Sequence, residues 1–208
     1  MNGREDVLRR VARAPLRTIQ VADLATRYAH PKKEVRELER RGLLHRLAHG
    51  IYCAVPQEAD PVSWRPTLEA ATAAVATARF GDRVPVLTGL TAARVHRALP
   101  RALGAGYVAV PTSRRPVTLA DRDAQVHYVQ RDVHALDAVL VQTDLGPALA
   151  TTPEQTVLDL ARDDPRGEDL DARQAIDALW AGCDPATLND IAGRQRMRAT
   201  LRRVAAGR

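Results

Sequence analysis

The stretch from Pro31 to Val55 constrains the fold more than any other part of the 208-residue chain. Val35 and Leu38 recur at helical spacing, and Gly42 can take the left-handed conformation that ends many helices. Two short apolar segments follow, as in a β-hairpin. The sequence therefore predicts a helix over Pro31 to Arg41, strands over Leu44 to Leu47 and Ile51 to Val55, and a turn at Ala48, His49 and Gly50.

Two more helical patterns precede this stretch. The first runs from Glu5 to Arg13, and the second from Val21 to Tyr28, with Thr18 placed to cap it. Three short helices followed by a hairpin are typical of a winged helix-turn-helix domain. In such a domain the third helix enters the major groove of DNA and the hairpin lies beside it. We therefore predict a winged helix-turn-helix domain over residues 1–56.

Charge is concentrated in the same part of the chain. Residues 1–50 contain 12 Lys and Arg against 6 Asp and Glu, whereas residues 51–208 contain 19 of each sign. The whole net charge of +6 therefore lies in the first quarter of the sequence. A basic module attached to a neutral body indicates binding to a polyanion.

Helical periodicity selects the residues that would contact DNA. If Val35 and Leu38 face inward, the opposite face of the helix carries its charged side chains. Arginine and lysine can bind guanine or phosphate, while Glu37 can accept from cytosine or hold an arginine in place. The predicted double-stranded DNA contacts are Lys32, Lys33, Arg36, Glu37 and Arg40 on the helix, with Arg46 and His49 on the hairpin.

The remainder of the chain has a different pattern. Residues 57–66 are proline-rich and are predicted to be a linker. From residue 67 to 208 helical and strand patterns alternate, and the end of the chain from Arg194 is basic. The sequence predicts strands over Gln125 to Gln130 and Ala138 to Thr143, and a helix that begins at Pro153 with Thr152 as its cap. The predicted fold class is α+β: an N-terminal winged helix-turn-helix domain, then a mixed α/β C-terminal domain with a basic tail, over 67–208.

A second basic patch lies within the predicted C-terminal domain. Arg114, Arg115 and Arg122 form either a surface for a protein partner, a second DNA contact or a solvated loop. Asp159, Asp163 and Asp164 are interpreted as the solvated end of a helix.

No enzyme motif is present. The sequence lacks GxxxxGK[ST], GxGxxG and HExxH, and its six histidines have no metal-ligand spacing. We therefore expect no catalysis, cofactor or metal. A nuclease with a lysine-dependent site is disfavoured because the only lysines are Lys32 and Lys33. The chain also lacks an apolar run of roughly 18 residues, so we expect a cytoplasmic protein.

Three segments resemble the AbiEi family of antitoxins, which belong to type IV toxin–antitoxin and abortive-infection modules. They are VRELERRGLLHRLAHGIYCAVP near the N-terminus, VLTGLTAARVHRALP in the middle and LATTPEQTVLDLAR further on. The resemblance covers nearly the whole chain in order and spacing. His30-Pro31-Lys32 departs from the family, whose members often have small polar residues before the third helix.

The resemblance implies an antitoxin that neutralises a nucleotidyltransferase-like toxin. It also implies that the N-terminal domain binds inverted repeats in its own promoter and represses the operon. Because the family belongs to abortive-infection modules, the resemblance further implies a role in phage defence. A direct complex with the toxin is not implied. The alternative from the residues alone is a ligand-responsive winged-helix regulator without a toxin partner. Such a regulator needs a small-molecule pocket, and the chain has only seven aromatic residues with which to line one.

Overall fold

The computed structural model describes residues 3–207. Its N-terminal part contains two α-helices and a three-stranded antiparallel sheet in the order β1-β3-β2. Short 3-10 turns lie at Pro15–Arg17 and Val21–Leu24. The regular elements are α1 (Gly3–Arg13), β1 (Thr18–Gln20), α2 (Pro31–Arg40), β2 (Leu44–Ala48) and β3 (Ile51–Ala54).

The predicted helix from Val21 to Tyr28 is wrong. Val21–Leu24 forms a single 3-10 turn, and Thr18 does not cap a helix because it pairs with Cys53 in the sheet. The Val21 amide donates to the Gly50 carbonyl at 2.8 Å, and the residues after Leu24 form short turns, with Ala25 bonded to Ala22 and Arg27 to Leu24. Leu24 still enters the core formed by α1, α2 and the sheet.

The remaining elements surround a six-stranded mixed sheet in the order β6-β7-β5-β4-β9-β8. Two of its pairs are parallel, β4 with β9 and β5 with β7. The strands are β4 (Val86–Leu87), β5 (Ala105–Val110), β6 (Val117–Thr118), β7 (Gln125–Gln130), β8 (Ala138–Thr143) and β9 (Gly146–Thr151). A 3-10 turn at Val133–Ala135 precedes β8.

Six helices accompany this sheet. They are α3 (Leu68–Phe80), α4 (Gly89–Val95), α5 (Pro153–Asp163), α6 (Leu170–Trp180), α7 (Pro185–Arg194) and α8 (Arg198–Ala206). The basic tail therefore contains an ordered helix. Thr152 caps α5 by accepting a hydrogen bond from the Gln155 amide, as its spacing predicts.

Alanine-rich α3 is the central helix of the molecule. It packs against the six-stranded sheet so closely that a methyl group added to Gly106 would lie 1.9 Å from the Thr72 hydroxyl oxygen. The same core cluster contains Leu16, Leu47 and Ile51 from the N-terminal part. The domain boundary at 57–66 stays a prediction, but apolar packing is continuous across it.

Candidate nucleic-acid interface

The inner face of α2 fixes the direction of its charged face. Val35 and Leu38 are buried in the core of the N-terminal part, and Tyr28 donates a hydrogen bond to Asp6 of α1. An ion pair of 2.9 Å between Arg4 and Glu34 also joins α1 to α2. With these contacts on one side, the opposite side of α2 faces solvent.

Five predicted DNA-binding residues are brought together on that side. They line one shallow groove with Arg4 of α1: Lys32, Lys33, Arg36, Glu37 and Arg40. Within residues 3–207, no hydrogen bond or ion pair engages the side chains of Lys32, Lys33 or Arg36, and all three are exposed. These cations can therefore bind an anion without first breaking a protein contact.

Glu37 has a partner on its own helix. The Nε and Nη2 atoms of Arg40 donate to its two carboxylate oxygens at 3.1 and 2.8 Å. The hydrogen bond from Arg40 lowers the pKa of Glu37 and, in turn, raises the pKa of Arg40. Of the two roles predicted for Glu37, holding an arginine is the one that the geometry favours.

The hairpin places Arg46 and His49 in solvent beside α2. Arg46 lies opposite Tyr52 in the β2–β3 register, and the turn contains Gly50 at a φ of 72°. Burial and then the charge of Glu39 raise the pKa of the Tyr52 hydroxyl, while Arg46 and Arg36 act against that rise. The hairpin arginine and the helix arginine therefore act electrostatically on the same hydroxyl group.

The other side of the hairpin is attached to the rest of the molecule. Leu47 and Ala48 are fully buried, and the Leu47 carbonyl accepts a hydrogen bond of 2.9 Å from the Ala120 amide. His45 lies 2.8 Å from the carboxylate of Asp121, and its ring meets Trp64 edge-on. These contacts fix the hairpin to the turn between β6 and β7.

Arg122 belongs to this attachment. Its guanidinium donates to the Asp121 carboxylate at 3.0 and 2.8 Å and to the Pro66 carbonyl, and its side chain is only 19% exposed. Burial acts to raise the pKa of Asp121, but the hydrogen bonds from His45 and Arg122 outweigh it and hold that pKa well below its usual range. This cluster was not predicted, since 76 residues separate His45 from Asp121.

Arg114 and Arg115 lie elsewhere, in an exposed loop between β5 and β6. No ion pair or hydrogen bond engages either side chain among residues 3–207. The three arginines predicted as one patch therefore differ in their contacts. Arg114 and Arg115 are available to bind a partner, whereas Arg122 is hydrogen-bonded to Asp121.

Asp159 corrects another expectation, because it is buried and not at a solvated helix end. Its carboxylate lies 3.1 Å from Arg131 and 3.3 Å from Arg162, and it accepts a hydrogen bond of 3.1 Å from Gln155. Burial raises its pKa, and the two arginines offset part of that rise. A signal was present: Asp159 lies between Leu158 and Leu160 and one helical turn after Gln155.

Among residues 3–207, no helix combines the length and apolar character needed to cross a membrane.

No curated protein matches the chain. A crystal structure of the RV2827C protein from Mycobacterium tuberculosis has a similar fold, with a TM-score of 0.56 and 22% identity. That match covers 95% of this chain and 75% of the other.

The family model for the AbiEi antitoxin C-terminal domain matches residues 86–205, from β4 to α8. This span contains the six-stranded sheet, the buried Asp159 and all helices after α3. It is more than half of the sequence and includes two of the three segments on which the resemblance depends. The chain belongs to the AbiEi antitoxin family, with a role in a toxin–antitoxin system.

Proposed function

We propose that the protein is a type IV antitoxin that neutralises a nucleotidyltransferase-like toxin and represses its own operon by binding promoter inverted repeats. The observation that carries the DNA-binding part is the groove on α2, where Lys32, Lys33 and Arg36 are exposed and unpaired among the described residues. Such cations on a helix flanked by a hairpin suit a winged helix-turn-helix bound in the major groove. Family membership supports the antitoxin part.

The contacts divide into two kinds. Arg36 lies in the middle of α2 and has no protein partner within residues 3–207, so it is assigned to base edges. Lys32 and Lys33 at the start of the helix, and Arg46 and His49 on the hairpin, are assigned to phosphates. Arg40 reaches the DNA with its guanidinium oriented by Glu37.

The strength of the salt dependence follows from the number of cations. Lys32, Lys33, Arg40 and Arg46 give about four phosphate-neutralising groups, and hence a slope of log affinity against log salt of roughly −3.6 per bound copy. A fourfold rise in salt should then weaken binding by about 150-fold.

The test is fluorescence anisotropy with the DNA upstream of the gene, over a salt series and against scrambled DNA. Arg36→Ala should lose selectivity between the two DNAs, by about 1–3 kcal/mol. Arg46→Ala should weaken binding to both alike and reduce the salt slope by about 1. Arg166→Ala is the matched control, because Arg166 is 82% exposed and lies outside the proposed interface.

Neutralisation is tested by co-expression with the adjacent toxin gene. A variant with Lys32→Ala, Lys33→Ala and Arg36→Ala should still rescue growth while failing to repress a promoter reporter. Equal binding to upstream and scrambled DNA would refute autoregulation, and failure of the intact chain to rescue growth would refute the antitoxin assignment.

A further inference from the structure

One edge strand of the six-stranded sheet lacks the features that normally prevent an edge strand from pairing with another chain. Strand β8 has the sequence AVLVQT, which contains no charged residue and no proline, and its pairing with β9 has no bulge. The opposite edge, β6, has only two residues and follows Pro116. Val139 and Leu140, in the middle of β8, are 41% and 43% exposed.

The register shows which backbone groups point away from the sheet. The Thr152 amide donates to the Asp137 carbonyl at 3.0 Å, one step before the first pair of β8 with β9. Hydrogen-bonded and non-hydrogen-bonded pairs alternate along an antiparallel ladder. Val139, Val141 and Thr143 therefore bond to β9, and the amides and carbonyls of Ala138, Leu140 and Gln142 point outward.

The two aspartates that flank β8 are placed where their charge could prevent another strand from pairing with it, but both have partners within the chain. Asp137 accepts a hydrogen bond of 2.9 Å from the Thr152 hydroxyl and lies 3.8 Å from Arg194. Asp144 accepts a hydrogen bond of 2.7 Å from the Thr67 amide. Both carboxylates are engaged within their own subunit, so neither is left to repel an approaching strand.

We propose that β8 is a dimerisation edge, which pairs antiparallel with β8 of a second copy of this chain. A second copy fits because the strand is uncharged and antiparallel pairing is two-fold symmetric. With Leu140 on the two-fold axis, each Ala138 faces Gln142 of the other copy, so all three outward-pointing residues are paired. This register also places the two exposed leucines together, and it does not depend on DNA binding.

The contact is small. A six-residue strand is about 20 Å long. An interface of this size is weak, so the dissociation constant is expected on the order of 10 to 100 µM.

The symmetry suggests a charge-swap experiment by sedimentation velocity of the full chain without DNA, over a concentration series. Leu140→Lys places two lysines opposite each other at the axis, and Leu140→Glu places two glutamates there. Each variant alone should dimerise at least tenfold more weakly than the parent chain. An equimolar mixture of the two should recover dimers, because lysine then faces glutamate across the axis.

The matched control is Leu170→Lys, which makes the same substitution at an exposed leucine of α6. It should leave the dimerisation of the parent chain unchanged. Circular dichroism and the melting temperature check that each Leu140 variant is folded. A parent chain that stays monomeric well above 100 µM would overturn the proposal, as would a dimer that Leu140→Lys does not weaken or a mixture that recovers no dimer.

Discussion

Replacing Asp121 with asparagine should destabilise the protein more than any other single charge removal in the turn between β6 and β7. The Asp121 side chain is 9% exposed and meets His45 and Arg122, which are 18% and 19% exposed. Removing one member of a buried ion pair costs about 3–5 kcal/mol. Since both partners retain some contact with water, we expect a loss of roughly 2–3 kcal/mol in the free energy of unfolding.

The measurement is urea unfolding followed by circular dichroism, with thermal unfolding alongside it. For a chain of this length, the expected loss corresponds to a melting temperature lower by roughly 4–12 °C. Asp123→Asn is the matched control, because Asp123 is exposed on the same turn and no hydrogen bond or ion pair engages its side chain among residues 3–207. A free energy of unfolding for Asp121→Asn within about 0.5 kcal/mol of this control would refute the reasoning.

The pH dependence gives a second, independent check. The folded-state pKa of Asp121 lies below its unfolded value of about 3.9, so the unfolded state binds the proton more readily. The stability that Asp121 contributes is therefore fully present above about pH 5 and is lost as the pH falls through the lowered pKa. The difference in stability between the parent chain and Asp121→Asn should therefore shrink below about pH 4.

Two further predictions concern packing and thiol chemistry. Gly106→Ala should cost about 1–3 kcal/mol of stability in urea unfolding, because the new methyl group overlaps the Thr72 side chain, whereas Gly104→Ala meets no neighbouring atom and should cost much less. Burial raises the pKa of Cys53 to about 12 and that of Cys183 to about 11, so a disulfide reagent at pH 8 should modify both slowly. The more exposed Cys183 should react first, and equal rapid modification of both thiols in the folded protein would contradict this.

The elements that were correctly predicted depend on local signals. The strands Gln125–Gln130 and Ala138–Thr143 agree with the structure residue for residue, because each is a short segment with several β-branched or aromatic residues between turn-forming residues. The start of α5 was equally clear, since a threonine cap followed by proline specifies a helix N-terminus without help from the rest of the chain. In both cases the relevant interactions lie within a few residues.

The errors depend on partners far away in sequence. Thr18–Gln20 is only three residues long and becomes a strand because the edge of β3 is available to it. Asp159 lies shortly before two further aspartates and a proline, a pattern typical of a helix end. It is nevertheless buried, because Arg131, which follows β7, forms an ion pair with it. Sequence patterns report which residues are polar, but they do not report which polar groups the fold brings together.

The two uses of arginine in this protein illustrate that difference. Arg122 and Arg131 each face a carboxylate of low exposure and help hold the fold together. Arg36 and Arg46 have no such partner within residues 3–207, and their charge is available to a polyanion. The net charge locates the basic module in the first quarter of the chain, but only pairing separates structural arginines from those available for binding. Alanine substitutions should separate the two groups in the same way. Replacing Arg122 or Arg131 should lower the free energy of unfolding, whereas replacing Arg36 or Arg46 should lower DNA affinity alone.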